Sequence, residues 1–369
     1  VAMRLPNKIE SLINRVEVSV GGVAVSAGAN FYNVLAHAKS VIDGDYDDAG
    51  LNHPEIITTG ADNNYVDGTN LTTSEQPSNA NSVAQFCVNK WCGFLGECEP
   101  RVLDTSLMGD IVITIYLEQN NIGTTTSDGI TDASFILSTT AEQSTFTLNN
   151  IYATIRCYSM ANGVYDNMIA EQMSQNGSLE VGFKQYFSFR DNCTGSSRFT
   201  VATQSLDRVF VAHHAQNSAV PATTTRHPVL VAGYTAIGAG NAAGDAARTL
   251  GLGKVKYIAP AFNFAEPPTT SVNLYEWQLN GAKFPQYRAT AEDVLQMTRL
   301  SSKYEDKSNM LVGLRQFKDN YFVSAMKLTL DAPNARYIQG LDTRSVSLNG
   351  FYYIYNIGSA RDITLFCEC

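Results

Sequence analysis

The sequence predicts an all-β protein: two tandem antiparallel β-sandwich or jelly-roll domains, each with a short inserted helix. Three observations carry this prediction: composition, the spacing of turn signals, and an internal echo. Only 17% of the 369 residues are charged, and Tyr (18) and Phe (17) far outnumber Trp (2). Together with abundant Thr, Ser, Asn and Gly, that profile suits pleated, half-buried strands better than helical bundles. Gly, Asn and Pro recur between short apolar runs, as in sandwiches and jelly rolls. The length accommodates two domains, each large enough for its own core.

The echo begins at residue 149. Asn150–Tyr158 has the β-branched and aromatic content of a strand, and Asn162-Gly163 is a turn signal. Val164, Tyr165, Met168, Ile169 and Met173 recur at helical spacing. After Asn176-Gly177 come a strand over Leu179–Tyr186 and another from Phe199 to Asp207. The order returns with a strand over Asn273–Leu279, a turn at Asn280-Gly281, a helix over Thr290–Leu300, a strand over Leu311–Phe317 and a strand over Phe322–Asp331. Thr290 and Asp293 form an [ST]-x-x-[DE] capping pattern. Val312-Gly313-Leu314-Arg315-Gln316-Phe317 matches Val181-Gly182-Phe183-Lys184-Gln185-Tyr186 class by class. Four elements in one order indicate a duplicated domain.

In chain order, residues 1–12, with Arg4, Pro6 and Lys8, read as an N-terminal arm. The first domain is expected over 13–214, a linker over 215–225 and the second domain over 226–369. Val16, Val18 and Val20, then Val23 and Val25 after Gly21-Gly22, form a hairpin or bulged strand. A helix follows with Phe31, Val34, Leu35, Ala38, Val41 and Ile42 on its apolar face and Asn30 as its cap. Residues 43–81 and 119–132 read as long polar loops. Further strands are expected at Val83–Val88, Asp110–Leu117, Ala133–Leu137, Phe146–Tyr158 and Val209–Val211. In the second half they are expected at Val229–Ala232, Val255–Phe264, Ser271–Leu279, Met310–Phe317, Tyr321–Leu330, Val346–Tyr355 and Asp362–Cys367.

No constellation of catalytic residues emerges, and neither a cofactor nor a metal is expected. Gly238, Gly240 and Gly244 are spaced one residue too widely for a dinucleotide fingerprint, and Gly251-Leu252-Gly253-Lys254-Val255 lacks the Ser/Thr of a phosphate loop. Asp43, Asp45 and Asp47 alternate like calcium ligands, but Asp48 stands where that loop needs Gly and Pro54 where it needs Glu. His213 and His214 would point to opposite faces of a strand. The five histidines lie in no nucleophile-and-base setting, and no pair of carboxylates stands out for glycosidase work. Seven cysteines at irregular spacing read as free thiols of a reducing compartment. The sequons at Asn70, Asn176 and Asn192 carry little weight in so Asn- and Thr-rich a chain. A net charge of −9 argues against a general nucleic-acid-binding surface, and no sequence-specific nucleic-acid binding is expected. No apolar run approaches a membrane span, and residues 1–12 contain no signal-peptide core.

Several stretches resemble the double jelly-roll major capsid proteins of icosahedral DNA viruses, above all those of virophages and Polinton-like viruses. Val164-Tyr165-Asp166 with Leu179–Tyr186 looks like that family's helix-then-strand segment, and Phe199–Phe210 like its exit strand. Leu279-Asn280-Gly281-Ala282-Lys283-Phe284-Pro285 is similar to the segment before the second helix, and Ser347–Tyr355 with Arg361–Phe366 to the closing strand pair. The resemblance covers about 145–210 and 270 to the end. It implies a non-enzymatic virion protein, assembled inside the host cell, that trimerises into pseudo-hexagonal capsomers. Its implied partners are further copies of itself, penton and minor capsid proteins, and a membrane or genome met by the arm. Gly182, Gly313 and the helices 164–173 and 290–300 are the structural positions the echo singles out. A duplicated domain suits that role, because three two-domain subunits present six similar corners. From another class, a carbohydrate-binding or glycoside-cleaving two-sandwich protein would share the composition.

Overall fold

A computed structural model describes residues 2–4, 9–26, 30–43, 65–67, 88, 90–100, 102–105, 107–118, 124–126, 148, 150–159, 163–193, 195–214, 229–230, 254–258, 264–267, 272–279, 281–302, 313–329, 338–344, 351–355 and 361–369. The strands of the first half are β1 (Ala2–Arg4), β2 (Ile13–Val20), β3 (Val23–Ser26), β4 (Tyr65–Asp67), β5 (Cys98–Glu99), β6 (Ile111–Leu117), β7 (Thr124–Thr126), β8 (Gly182–Phe183), β9 (Tyr186–Cys193), β10 (Ser196–Phe199) and β11 (Arg208–His213). Those of the second half are β12 (Val229–Leu230), β13 (Lys254–Ile258), β14 (Tyr275–Leu279), β15 (Ala282–Ala289), β16 (Val323–Lys327), β17 (Phe351–Tyr355) and β18 (Arg361–Glu368). Among the described residues four α-helices accompany them: α1 (Tyr32–Asp43), α2 (Val164–Asn176), α3 (Ala291–Leu300) and α4 (Leu314–Asn320). The fold is all-β with short helices, and among the described residues every ladder is antiparallel.

The core is a sandwich of two four-stranded sheets, ordered β16-β11-β18-β9 and β10-β17-β14-β15. β11 is buried at all six positions, as a strand covered on both faces must be. One face of β11 sends His213 across to Tyr275 on β14 and to Tyr353 and Tyr355 on β17, with ring centroids 5.5–5.8 Å apart. Phe199 meets Trp277 edge-on, and Trp277 packs on Tyr353 at 4.6 Å. The other face carries Arg208 and Phe210, the latter stacked on Phe366 at 5.3 Å. That face is covered by α3, whose Thr298 hydroxyl donates to the Val323 carbonyl at 2.7 Å, and by α1. α1 is buried on nearly every side and also leans on β2, the middle strand of the sheet β3-β2-β6. Smaller sheets are β12-β13-β4, β1-β7 and β5-β8.

The helices over 31–42, 164–173 and 290–300 form where the periodicity puts them. α3 begins with the Asp293 carboxylate accepting from both the backbone N–H and the hydroxyl of Thr290, each at 2.9 Å. α2 ends at Gly177, whose φ of 71° is the left-handed value glycine adopts freely and whose N–H donates to the Met173 carbonyl at 2.9 Å. Three expected strands fail. Of the strand expected over Phe199–Asp207 only Phe199 lies in a ladder strand, the end of β10, and residues 200–207 hold a single bridge at Leu206. Residues 150–158 are described, yet they join no ladder. The stretch expected as a strand over Met310–Phe317 is α4 from Leu314 onward, with Phe317 N–H donating to the Gly313 carbonyl. Leu314, Phe317 and Tyr321 repeat at helical spacing and turn Phe317 and Tyr321 into the core, which outweighs the likeness to residues 181–186. Gly182 therefore lies on β8, whereas Gly313 precedes a helix and lies in no strand.

Residues 9–12 do not behave as an arm. They form a 3₁₀ turn against α1, with Leu12 and Glu10 buried. The linker expected at 215–225, the strand at Ala133–Leu137 and residues 83–87 of another lie outside the described residues. Strands from either side of that linker share both four-stranded sheets, so β9, β10 and β11 bond to β14, β16, β17 and β18 or lie in one sheet with them.

Candidate functional site: an exposed apolar surface

The two adjacent histidines are buried. His213 Nε2 lies 2.8 Å from the Tyr353 hydroxyl and His214 Nε2 2.8 Å from the Thr364 hydroxyl, both inside the core. The two imidazoles serve opposite faces, as strand alternation requires, and hold nothing in common. Among the described residues no three His, Cys, Asp or Glu side chains are grouped to hold a metal ion. Asp43 ends α1, while Asp45, Asp47 and the glycines at 238, 240 and 244 lie outside the described residues. Cys92, Cys98, Cys157, Cys367 and Cys369 are free thiols, and burial pushes Cys92 up to about 12, where it is no nucleophile at neutral pH. A cavity of about 10 Å³ between Val16, Tyr32, Leu35, Cys92, Phe94 and Tyr186 has room for no more than one water. No described helix is long and apolar enough to cross a membrane.

Three buried charge clusters, which sequence reasoning missed, pin the strands around β11. Arg208, 1% exposed, donates from Nε and Nη2 to Glu368 at 2.8 and 2.5 Å and from Nη1 to the Ser301 carbonyl at 2.8 Å, with Asp43 at 3.7 Å. It ties β11 to β18, α1 and the end of α3. Burial opposes its charge, but Glu368 and Asp43 more than restore it, so its pKa lies above the ordinary arginine value. Lys39 of α1 pairs with Glu97 and donates to the Tyr186 hydroxyl at 2.6 Å, and Tyr186 donates to Glu97 at 2.7 Å. Burial alone would raise the Glu97 carboxyl. Lys39, Tyr186 and the Gly93 N–H together bring it down to about 2. Lys184 pairs with Asp207, which also accepts from the Ser205 hydroxyl at 2.5 Å. The paired charges lie 23 to 165 positions apart in sequence, so no local pattern announces them. Their role is to hold strands, because every member is closed off from ligand.

Several described elements of the first half turn apolar side chains outward. β6 is the outer strand of β3-β2-β6, and Val112, Ile113, Ile115, Tyr116 and Leu117 are exposed on both of its faces. Residues 151–159 are all exposed. α2 buries no residue at all and leaves Val164, Met168 and Met173 in solvent. A folded monomer rarely shows more than about 600 Å² of contiguous apolar surface, and surfaces beyond that mark contact sites.

No protein-family model matches this sequence, and no curated protein does. Solved structures do. A chain of the PBCV-1 virus capsid, from its quasi-atomic model, aligns over 100% of this chain and 82% of its own at 10% identity, with a TM-score of 0.51. The chain has the fold of a virus capsid protein. PBCV-1 capsid protein fitted into a cryo-EM reconstruction of the virophage Sputnik aligns over 99% of this chain and 81% of its own at 10% identity and a TM-score of 0.49. The Faustovirus major capsid protein aligns over 100% and 72% at 10% identity and a TM-score of 0.44.

Proposed function

We propose that this chain is a major capsid protein that trimerises into pseudo-hexagonal capsomers of an icosahedral shell. The observation that carries the reading is the whole-length alignment with the PBCV-1 capsid chain. The apolar exterior supports it, since a shell subunit works by extended surfaces that bury one another and needs no pocket. On this reading the protein is not an enzyme, resides in the virion, and contacts neighbouring capsomers, penton proteins and minor capsid proteins. A membrane or genome inside the shell, met through the N-terminal stretch expected over 1–12, is a further partner on this reading. The division into a jelly roll over 13–214 and another over 226–369 belongs to the same proposal, with β9–β11 carried across into the sheets of the second.

Mass photometry across a dilution series tests it. Three chains of 40.2 kDa give a species near 121 kDa, expected to dominate at micromolar concentration because obligate interfaces commonly bury more than about 2,000 Å². Contacts between trimers are expected to be weaker and, with −9 charges per chain, to loosen at low ionic strength. A stable species near 40 kDa with nothing larger removes the capsid reading.

A further inference from the structure

Two lysines of the core sit against carboxylates, and their surroundings push them opposite ways. Burial opposes the Lys39 charge, but Glu97 more than restores it. Glu97 is itself held ionised, since it also accepts from the Gly93 N–H and the Tyr186 hydroxyl, so this pair stays charged. Lys184, with a side chain 5% exposed, meets the carboxylate of Asp207, 2% exposed. Burial works against its ammonium form. The pull of Glu368 and Glu97, opposed by Arg208 and Lys39, does not make up the difference, and its pKa lies below the ordinary lysine value. A desolvated lysine of that kind supplies a neutral, nucleophilic amine.

The Asp207 carboxyl is arranged to receive that amine. Its Oδ2 faces Lys184 Nζ, while its Oδ1 accepts from the Ser205 hydroxyl at 2.5 Å. Ser205 Oγ accepts in turn from the Gly340 N–H at 2.8 Å, which leaves the hydroxyl proton for Oδ1. Gly340 packs so closely on Oδ1 that a methyl group has no space there. The end of β18 fixes both backbones. Gln185, next to Lys184, exchanges two bonds of 2.9 Å with Cys369, and the Asp207 N–H donates to the Glu368 carbonyl at 2.8 Å. Reacting groups held in this way meet at a high effective concentration.

We propose that Lys184 and Asp207 are a modification site, joined by an intramolecular isopeptide bond. Proton transfer within the pair gives the neutral amine and the neutral acid, the forms that burial favours. The lone pair of Lys184 Nζ attacks Asp207 Cγ and forms the C–N bond. Charge developing on Oδ1 is met by the Ser205 hydroxyl, which acts as an oxyanion donor. A proton from Nζ passes to the Oδ2 hydroxyl, the Cγ–Oδ2 bond breaks, and one water leaves. An enclosed ion pair is thereby replaced by a neutral amide, which removes the cost of desolvating two charges. The bond ties the residue ahead of β9 to the residue ahead of β11 and encloses β9 and β10 in one loop. It concerns this chain's own covalent structure and stands apart from the capsid reading.

Mass spectrometry of the intact, full-length chain tests the bond. The protein is expected to be lighter than its sequence mass by one water. A tryptic digest is expected to lack cleavage after Lys184 and to contain Cys157–Arg190 joined to Phe199–Arg208. Lys184→Arg keeps a cation beside Asp207, yet its guanidinium stays protonated and is no nucleophile. That variant is expected at full sequence mass, with the joined peptides absent. Asp207→Asn is expected to lose ammonia in place of water, because the leaving group has changed. Ser205→Ala is expected to slow the appearance of the linked form after a pulse of synthesis by about a hundredfold, and an unchanged rate overturns the role of Ser205. Full sequence mass in the wild-type chain overturns the proposal, and so does a water lost without the joined peptides. Either result leaves Lys184 and Asp207 an ion pair.

Discussion

Replacing Arg208 by methionine strips the cation from the most enclosed charge cluster of the protein. Glu368, 2% exposed, then keeps its carboxylate in the sheet without the two guanidinium bonds at 2.8 and 2.5 Å, and the Ser301 carbonyl loses its donor. Removing one partner of a buried ion pair costs about 3–5 kcal/mol, because the remaining charge is desolvated and uncompensated. Lys39 and Lys184 also feel the field of Glu368, which places the expected loss toward the lower end, about 3 kcal/mol. Replacing Arg208 and Glu368 together by methionine removes the orphan charge as well, so the double variant is expected to lie within about 1 kcal/mol of wild type. Guanidinium unfolding followed by fluorescence of Trp277, which is buried against Tyr353, reads both values. The reasoning fails if Arg208→Met costs under about 1 kcal/mol, or if the double variant loses as much as the single one.

Two further outcomes follow from the same core. Glu97 titrates near 2 when folded and near 4.3 when unfolded, so its pairing stabilises fully above about pH 4.3 and is lost as pH falls toward 2, a contribution of roughly 3 kcal/mol. Glu97→Gln is therefore expected to flatten the stability-against-pH curve across that window in urea unfolding, and parallel curves for variant and wild type would contradict the assignment. A methyl group at Gly340 would run into the backbone carbonyl of Leu206 and the carboxylate of Asp207, where Leu206 and Leu341 exchange two hydrogen bonds of 2.9 Å. Gly340→Ala is expected to cost about 1–3 kcal/mol by the same unfolding measurement, and a neutral effect would mean that this crossing is not close-packed.

Composition, turn spacing and periodicity were enough to determine that this chain is an antiparallel β protein, and they placed α1, α2 and α3 to within a few residues. Those properties are local: a 3.6-residue apolar stripe with its Thr290–Asp293 cap stays legible wherever the helix packs. The stretch at 150–158 has strand composition, but a strand exists only when another edge is present to bond it, and composition cannot supply the neighbour. At 314–320 the same β-like residue classes became α4, because Leu314 and Phe317, three apart, would take opposite faces of a strand and pack inward together only from a helix. The tertiary structure alone decided that β9, β10 and β11 share sheets with β14–β18. It alone joined Arg208 to Glu368 across 160 positions, and it alone left apolar side chains of β6 and of residues 151–157 exposed. Such pairings are contacts between residues remote in sequence, and their energy is set by burial and geometry that exist only once the chain has folded.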